Sequence, residues 1–353
     1  MRSDHDLPDE IAKWELKYRH KVSILIPTYC QPKMVLRAVR SALIQDYTPL
    51  EVIVCDDSRD DETRKAILPL LSQDARLQYI KNESRLGRVG NYRNALYSHA
   101  SGEWVLMLDG DDYLMDASFI SDAVSAIAKH EGIVFVQGGG EIRRETVDGS
   151  TELISVRIPK VSTSSFVFGH KGSGASSLED DKISYLVSGS DYVKMFPVKR
   201  YFLHLTTLFH RSTAMQIDFY RKDLLSSDLE SFMRLALHGK VFIIGRAVGV
   251  WLQHQENAGI CASKEDIIAN NWAVEVEKYA VEHHLWSKRG AKAWARRVRS
   301  RELIGVFMRE INRSKNQNKR KLDIFTFTVS FVKKYPTLLL HPVFLKKLMF
   351  NVL

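Results

Sequence analysis

Four apolar runs near the start of this chain each lead into a polar cluster, with helix-like segments between them. Val22–Ile26 stops at Pro27-Thr28-Tyr29, and Glu51–Cys55 ends in Asp56-Asp57-Ser58. Leu77–Ile80 precedes a glycine-containing turn and the segment Asn91–Asn94, and Trp104–Leu108 runs into Asp109-Gly110-Asp111-Asp112. Unbroken apolar runs, as opposed to alternating ones, suit strands covered on both faces. Between them, Pro32 opens a pattern that puts Val35, Val39, Ala42 and Leu43 on one helical face. A second helix follows Ser58 and closes at Pro69, a third runs from about Val89 to Ala100, and Ile133–Val136 reads as a fifth strand. This alternation predicts an α/β chain with a mostly parallel sheet flanked by helices. Ligands of such sheets bind outside the carboxyl ends of the strands, where all four polar clusters gather.

The rest of the chain divides by composition. Residues 1–20 form a polar lead holding Trp14, Leu16 and Tyr18, with no apolar stretch of a secretory signal. Residues 21–137 carry the strand-and-helix pattern, and residues 138–285 form a second half. There, loops and short antiparallel strands precede a helix that opens near Ser227-Asp228 and ends at Gly239 as a C′ residue. A strand from Val241 then leads to His254. Residues 286–353 read as a basic, amphipathic helical tail with a polar break at Ser314–Lys321. The tail has 17 Lys and Arg against 3 acidic residues, a local charge of +14; the 34 basic and 39 acidic residues before it leave −5. The net charge of +9 therefore belongs to an appendage, which argues against a nucleic-acid-binding body. Three scattered cysteines (Cys30, Cys55 and Cys261) fit neither a disulfide framework nor a zinc site and point to a reducing, cytoplasmic setting. No apolar run approaches the roughly 18 residues that a spanning helix needs.

Asp109, Asp111 and Asp112 concentrate three carboxylates within four residues. Their repulsion is costly unless a cation or hydroxyl groups intervene, and oxygen ligands of this kind suit Mg²⁺ or Mn²⁺ carrying a diphosphate; a solvated acidic turn is the other reading. Asp57 can accept from a base imide or a ribose, or cap the helix after it. Arg93 either meets a pyrophosphate or lies on a solvated helix face.

In order and spacing, Val22-Ser-Ile-Leu-Ile-Pro-Thr-Tyr29, Glu51-Val-Ile-Val-Cys-Asp-Asp57, Gly87 with Arg93-Asn94-Ala95, Gly102-Glu103 and Leu108-Asp-Gly-Asp-Asp112 resemble the family 2 inverting glycosyltransferases. The similarity is strong over about residues 20–115 and weaker to about residue 257. It implies a GT-A type fold, with Pro27, Thr28 and Tyr29 lining a base pocket and Asp57 on the uracil. It also implies Arg93 near the donor, Asp109 near the ribose, and Asp111, Asp112 and His254 at the metal. Cys30 stands where the family usually has Asn. Ser227-Asp-Leu-Glu-Ser-Phe-Met-Arg-Leu235 resembles the family's acidic helix start, which makes Asp228 the general base, with Ser227 in place of the first acid and Glu230 as the fallback.

The implied activity is metal-dependent transfer of a sugar, with inversion, from a nucleotide-sugar (a UDP-sugar by analogy) to a glycan or lipid-linked glycan in surface polysaccharide synthesis. Arg296, Arg297, Arg299 and Arg301 beside Trp294, and Lys346-Lys347 among Phe344, Leu345, Leu348 and Met349, suggest peripheral contact with anionic lipid at the inner face of the membrane. A sugar-phosphate nucleotidyltransferase would need a Gly- and Lys/Arg-rich loop after the first strand, which Pro27–Gln31 lacks. An RNA-binding role for the basic tail fits the acidic body poorly.

Overall fold

The computed structural model describes residues 20–146, 149–159, 168–171, 183–197, 202–255, 257, 262–317 and 321–351. The lead segment with Trp14, Leu16 and Tyr18, and Cys261, lie outside these. Contacts divide the chain into two compact units, residues 1–223 with 227–260, and residues 224–226 with 261–353. The expected halves 21–137 and 138–285 are thus one unit up to residue 260, and the second unit begins well before Trp286.

The first unit starts with β1 (Val22–Thr28), α1 (Pro32–Leu43), β2 (Leu50–Asp56), α2 (Glu62–Gln73), β3 (Leu77–Lys81) and α3 (Gly87–Asn94). Every residue of β1 and β2 is buried, as the unbroken apolar runs require. Pro32 supplies the first turn of α1, and Val35, Ala38, Val39 and Ala42 form its buried stripe. Pro69 lies inside α2 and does not end it; Leu70 and Leu71 pack on the core and carry the helix one turn further. Helix α3 runs directly into a π-helical turn, Ala95–His99.

Next come β4 (Trp104–Met107), β5 (Tyr113–Leu114), α4 (Phe119–Lys129), β6 (Ile133–Glu145), β7 (Thr151–Arg157), β8 (Phe168–Lys171), β9 (Ile183–Ser188) and α5 (Gly189–Met195). The unit closes with β10 (Thr207–His210), α6 (Arg211–Gln216), α7 (Ser227–Ala236) and β11 (Lys240–Gln253). The strand order is β3-β2-β1-β4-β10-β6-β11-β9-β8, with β5 paired to β11 and β7 to β6. Pairing is parallel through β3-β2-β1-β4 and again between β6 and β11. The late strand β10 enters antiparallel between β4 and β6, so the sheet as a whole is mixed. Gly239 is not left-handed. A Cβ there would lie 2.5 Å from the carbonyl oxygen of Gly132, so close backbone packing is what demands glycine.

Parallel register aligns the carboxyl ends. Thr28 pairs with Asp56, Leu25 pairs with Met107, and the Gly110 N–H donates to the Pro27 carbonyl at 3.1 Å. A Cβ on Gly110 would meet the Thr28 Oγ1 at 2.8 Å, so the turn after β4 can lie against β1 only with glycine there.

The second unit contains α8 (Lys264–Ala269), α9 (Trp272–Glu282), α10 (Lys288–Asn316), α11 (Lys321–Lys334) and α12 (Pro342–Asn351). The Ser314–Lys321 break is shorter than expected, since α10 continues to Asn316 and α11 starts at Lys321. Trp294 is only 4% exposed and packs edge-on to Trp272 and Trp286. The apolar stripe of α10 therefore belongs to this unit's own core, with Phe307, Ile311, Phe331 and Phe344.

At the amino end of β2, far along the strand from the aligned ends, buried Glu51 accepts from Ser23 Oγ at 2.5 Å and from the Ser101 N–H at 2.8 Å, and pairs with Lys21 Nζ at 2.7 Å. Burial alone would raise its pKa, but these partners outweigh burial and hold it below the usual carboxylate range. A depressed carboxyl contributes stability that is complete above its unfolded pKa of roughly 4.3 and is lost as pH falls through the folded value. Glu51→Gln should cost about 1–3 kcal/mol near pH 7, as expected for a buried charge-assisted cluster. In thermal denaturation the gap to wild type should narrow below about pH 4.

Candidate active site

The site is built where β1, β2 and β4 end. After β1 the chain turns through Cys30, which sits in the left-handed region at φ 53° while its N–H donates to Ser58 Oγ at 2.7 Å. Asparagine tolerates that conformation better than cysteine does. Thr28 is buried, and its Oγ1 has no hydrogen-bond partner among the described residues. Tyr29 is exposed, with the Arg85 guanidinium 4.3 Å above its ring.

Asp57, after β2, organises the next loop. Its Oδ1 accepts from Asn82 Nδ2 at 2.9 Å and the Leu86 N–H at 2.8 Å, and its Oδ2 from the Gly87 N–H at 2.9 Å. Gly87, at φ +75°, lets the loop turn into α3 with that N–H facing the carboxylate. Oδ2 retains one lone pair for a further donor.

The three carboxylates after β4 each have a different holder. Tyr92 Oη donates to Asp109 Oδ1 at 2.6 Å. Asp111 Oδ2 meets His254 Nε2 at 2.8 Å and accepts from Asn257 Nδ2 at 3.0 Å. Asp112 Oδ1 accepts from the Leu252 N–H of β11 at 2.9 Å. One oxygen from each of the three lies within 4.8 Å of the others. Burial, and then the Asp111 charge, pushes the Asp109 carboxyl up to about 7. Burial, then Asp111 and Asp109, raises Asp112 well above the usual range. Asp112 was expected at a metal, yet one of its oxygens is committed to backbone, which makes it partly a tie between this turn and β11.

Asp228 stands in the first turn of α7, half-buried. Its charge acts on Arg88, His204 and Tyr220, and the Asp109 charge acts on Arg88 and Tyr220, so the two carboxylates share one set of neighbours. His204 is buried, hydrogen-bonded to Tyr220 Oη, with Nδ1 3.9 Å from Asp109 Oδ2. Burial pushes this imidazole down to about 4, so it is neutral near pH 7.

Arg93 does not join this group. Its Nη1 pairs with Asp218 at 2.7 Å and donates to the Phe219 carbonyl at 2.9 Å. It braces a turn in which Asp218 and Tyr220 are both left-handed, at φ 53° and 56°. The cation that does face the carboxylates is Arg88, one residue past Gly87. Desolvation works against its charge, and Tyr92, Asp228 and Asp109 outweigh that, raising its pKa. Sequence reasoning missed Arg88, His204 and Tyr220, and only the order "glycine, then a basic residue opening a helix" hinted at the first. The fallback base Glu230 sits in a different setting. It is buried, paired with Arg234 at 2.8 Å and Arg221 at 2.9 Å, while Arg234 donates to the carbonyls of Ile217 and Asp218. This buried pair fixes the turn that presents Tyr220.

Residues 23–171 match the sequence model described as Glycosyl transferase family 2. They form a family 2 glycosyltransferase domain. A GalNAc(5)-diNAcBac-PP-undecaprenol beta-1,3-glucosyltransferase of Campylobacter jejuni is 35% identical over 128 residues, covering 35% of this chain and 40% of that protein. The Escherichia coli protein WfgD, a UDP-Glc:alpha-D-GlcNAc-diphosphoundecaprenol beta-1,3-glucosyltransferase, is 34% identical over 121 residues, 34% of this chain and 46% of its own length. The chain thus spans less than half of these relatives. Among solved structures, Staphylococcus aureus TarS 1–349 in complex with UDP superposes with a TM-score of 0.55 at 19% identity, over 80% of this chain and 72% of that one. At such identity the likeness speaks for the fold alone, and that fold is the GT-A kind.

Within the family 2 domain, Cys30→Asn should raise stability by about 0.5–1 kcal/mol by relieving the left-handed cysteine, a gain readable in a chemical melt. Arg93→Ala and Arg88→Ala should separate. The first should lower the melting temperature and leave UDP binding within about threefold, because it removes a brace. The second should leave the melting temperature nearly unchanged and weaken UDP binding at least about tenfold, the scale of one charge-assisted contact. Calorimetric titration with UDP reads both.

Proposed function

We propose that the chain is an inverting glycosyltransferase that moves a sugar from a nucleotide-sugar, taken to be a UDP-sugar, to a hydroxyl of a glycan or lipid-linked glycan acceptor. The observation that carries this reading is that the Asp109 and Asp228 charges both act on Arg88, beside His204, whose Nδ1 lies 3.9 Å from Asp109 Oδ2. In the proposed step Asp228 accepts the proton of the acceptor hydroxyl while the hydroxyl oxygen bonds to the anomeric carbon. The bond from that carbon to the diphosphate oxygen breaks, the electron pair leaves on UDP, and an α-linked donor gives a β product. Arg88 offsets the charge that develops on the departing diphosphate. Thr28, with its buried unpartnered Oγ1, and Asp57, with its remaining lone pair, are assigned to the nucleoside, with Pro27 and Tyr29 beside them.

The residues fit a divalent cation, Mn²⁺ or Mg²⁺. Burial and then the nearby Asp111 charge raise the Asp109 pKa, and a cation between the carboxylates would relieve both. Asp111, the uncommitted oxygen of Asp112 and His254, which meets Asp111, are the groups that would hold it, with Asp109 assigned to the ribose. When bound, such an ion neutralises diphosphate charge. The acceptor class follows the diphosphoundecaprenol-linked substrates named for the two relatives. Peripheral attachment to the inner face of the cell membrane, through the basic tail, completes the proposal; among the described residues no helix is long and apolar enough to cross a membrane.

A panel of UDP-sugars assayed for UDP release, with Mn²⁺ and with EDTA, tests this. Asp228→Asn should keep donor binding and lose at least about 100-fold in transfer. Asp111→Asn should lose cation-dependent UDP binding with the fold intact. Full wild-type transfer in EDTA sinks the metal assignment, and activity retained by Asp228→Asn sinks the base.

A further inference from the structure

The second unit narrows which part of the basic tail can meet a lipid surface. Helix α10 holds most of the tail's arginines, but its apolar residues Trp294, Val298, Phe307 and Ile311 are buried within the unit. An arginine-rich helix whose apolar stripe is already used has nothing left to insert. The stretch after Asp323 differs. From Ile324 to the end the sequence has four lysines and no aspartate or glutamate. Its buried core residues include Ile324, Phe331, Leu338 and Phe344, while Leu340 is 84% and Met349 62% exposed. Leu339, Val343 and Leu345 are exposed as well, beside the exposed Lys333, Lys334, Lys346 and Lys347.

Water-facing leucine and methionine at these levels are unfavourable in an isolated chain, and the four lysines of a stretch without acidic residues specify the sign of what covers them. We infer that residues 336–349 form a membrane-docking face for an anionic bilayer, with Leu340 and Met349 entering the acyl boundary and the lysines meeting headgroups. This rests on the proposed function only for its purpose, since the surface itself is independent of the transfer chemistry.

Flotation of the full chain with phosphatidylglycerol or phosphatidylcholine vesicles tests it. Wild type should float with the anionic vesicles alone and detach as salt rises. Leu340→Glu combined with Met349→Glu should cut partitioning at least about tenfold. Lys333→Gln with Lys346→Gln should cut it about 25-fold, at roughly fivefold per lysine near the surface. Both pairs are exposed, so unchanged thermal melts would show that folding is intact. The inference is overturned if wild type ignores anionic vesicles at low salt, or if Leu340→Glu/Met349→Glu floats like wild type. It is also overturned if that variant only converts a dimer to a monomer in sedimentation, because the face would then pair two copies of this chain. UDP release with a water-soluble acceptor should be unchanged in the variants. Its absence in wild type would count against the transferase reading and leave the flotation result standing.

Discussion

Three carboxylates held within 4.8 Å of one another would disperse if left to themselves, and much of the first unit serves to keep them in place. Each is gripped by a different part of the chain: Asp109 by Tyr92 of α3, Asp111 by His254 and Asn257 beyond β11, and Asp112 by the backbone of β11. Gly110 lets the turn that carries them lie against Thr28 with no room for a side chain. A cluster of like charges is tolerated when its holders are fixed, and here they are a helix, a strand and the segment just after that strand.

A second layer of constraint lies behind the site. The left-handed turn at Asp218 and Tyr220 persists because Arg93 and the buried Glu230–Arg234 pair hold its carbonyls. Replacing a buried ion pair with apolar groups often costs little, whereas removing one partner is expensive. The value of this pair therefore lies in the geometry it imposes on Tyr220, which touches His204 at the site's wall.

The first four strands, the first helix and the carboxylate turn were legible in the sequence because local apolar pattern and local burial agree there. Strand β10 was not, since four residues that wedge antiparallel between β4 and β6 leave no periodic signature of their partners. Asp57, Asp111 and His254 were readable as polar groups at strand ends. Arg88 opens α3 and Arg93 lies in its last turn, and sequence spacing does not say which faces the carboxylates and which the Asp218 turn. Glu51 read as the first residue of a strand and Glu230 as a fallback base, yet both are buried ion-paired carboxylates, and only tertiary contacts reveal the partners that make this tolerable. In the tail, helicity was plain from composition, but which tryptophan or leucine faces water depends on how the helices pack on each other.

The ties between Asp112 and Leu252, and between Asp111 and Asn257, also set an order of assembly. A ribosome that has released only the parallel strands has made every aspartate of the turn but none of the β11 groups that restrain two of them. The exposed edge of β4 likewise waits for residues 207–210. The nascent domain thus carries an open edge on β4 until residues 207–210 have emerged and an unclamped acidic turn until residue 257 has.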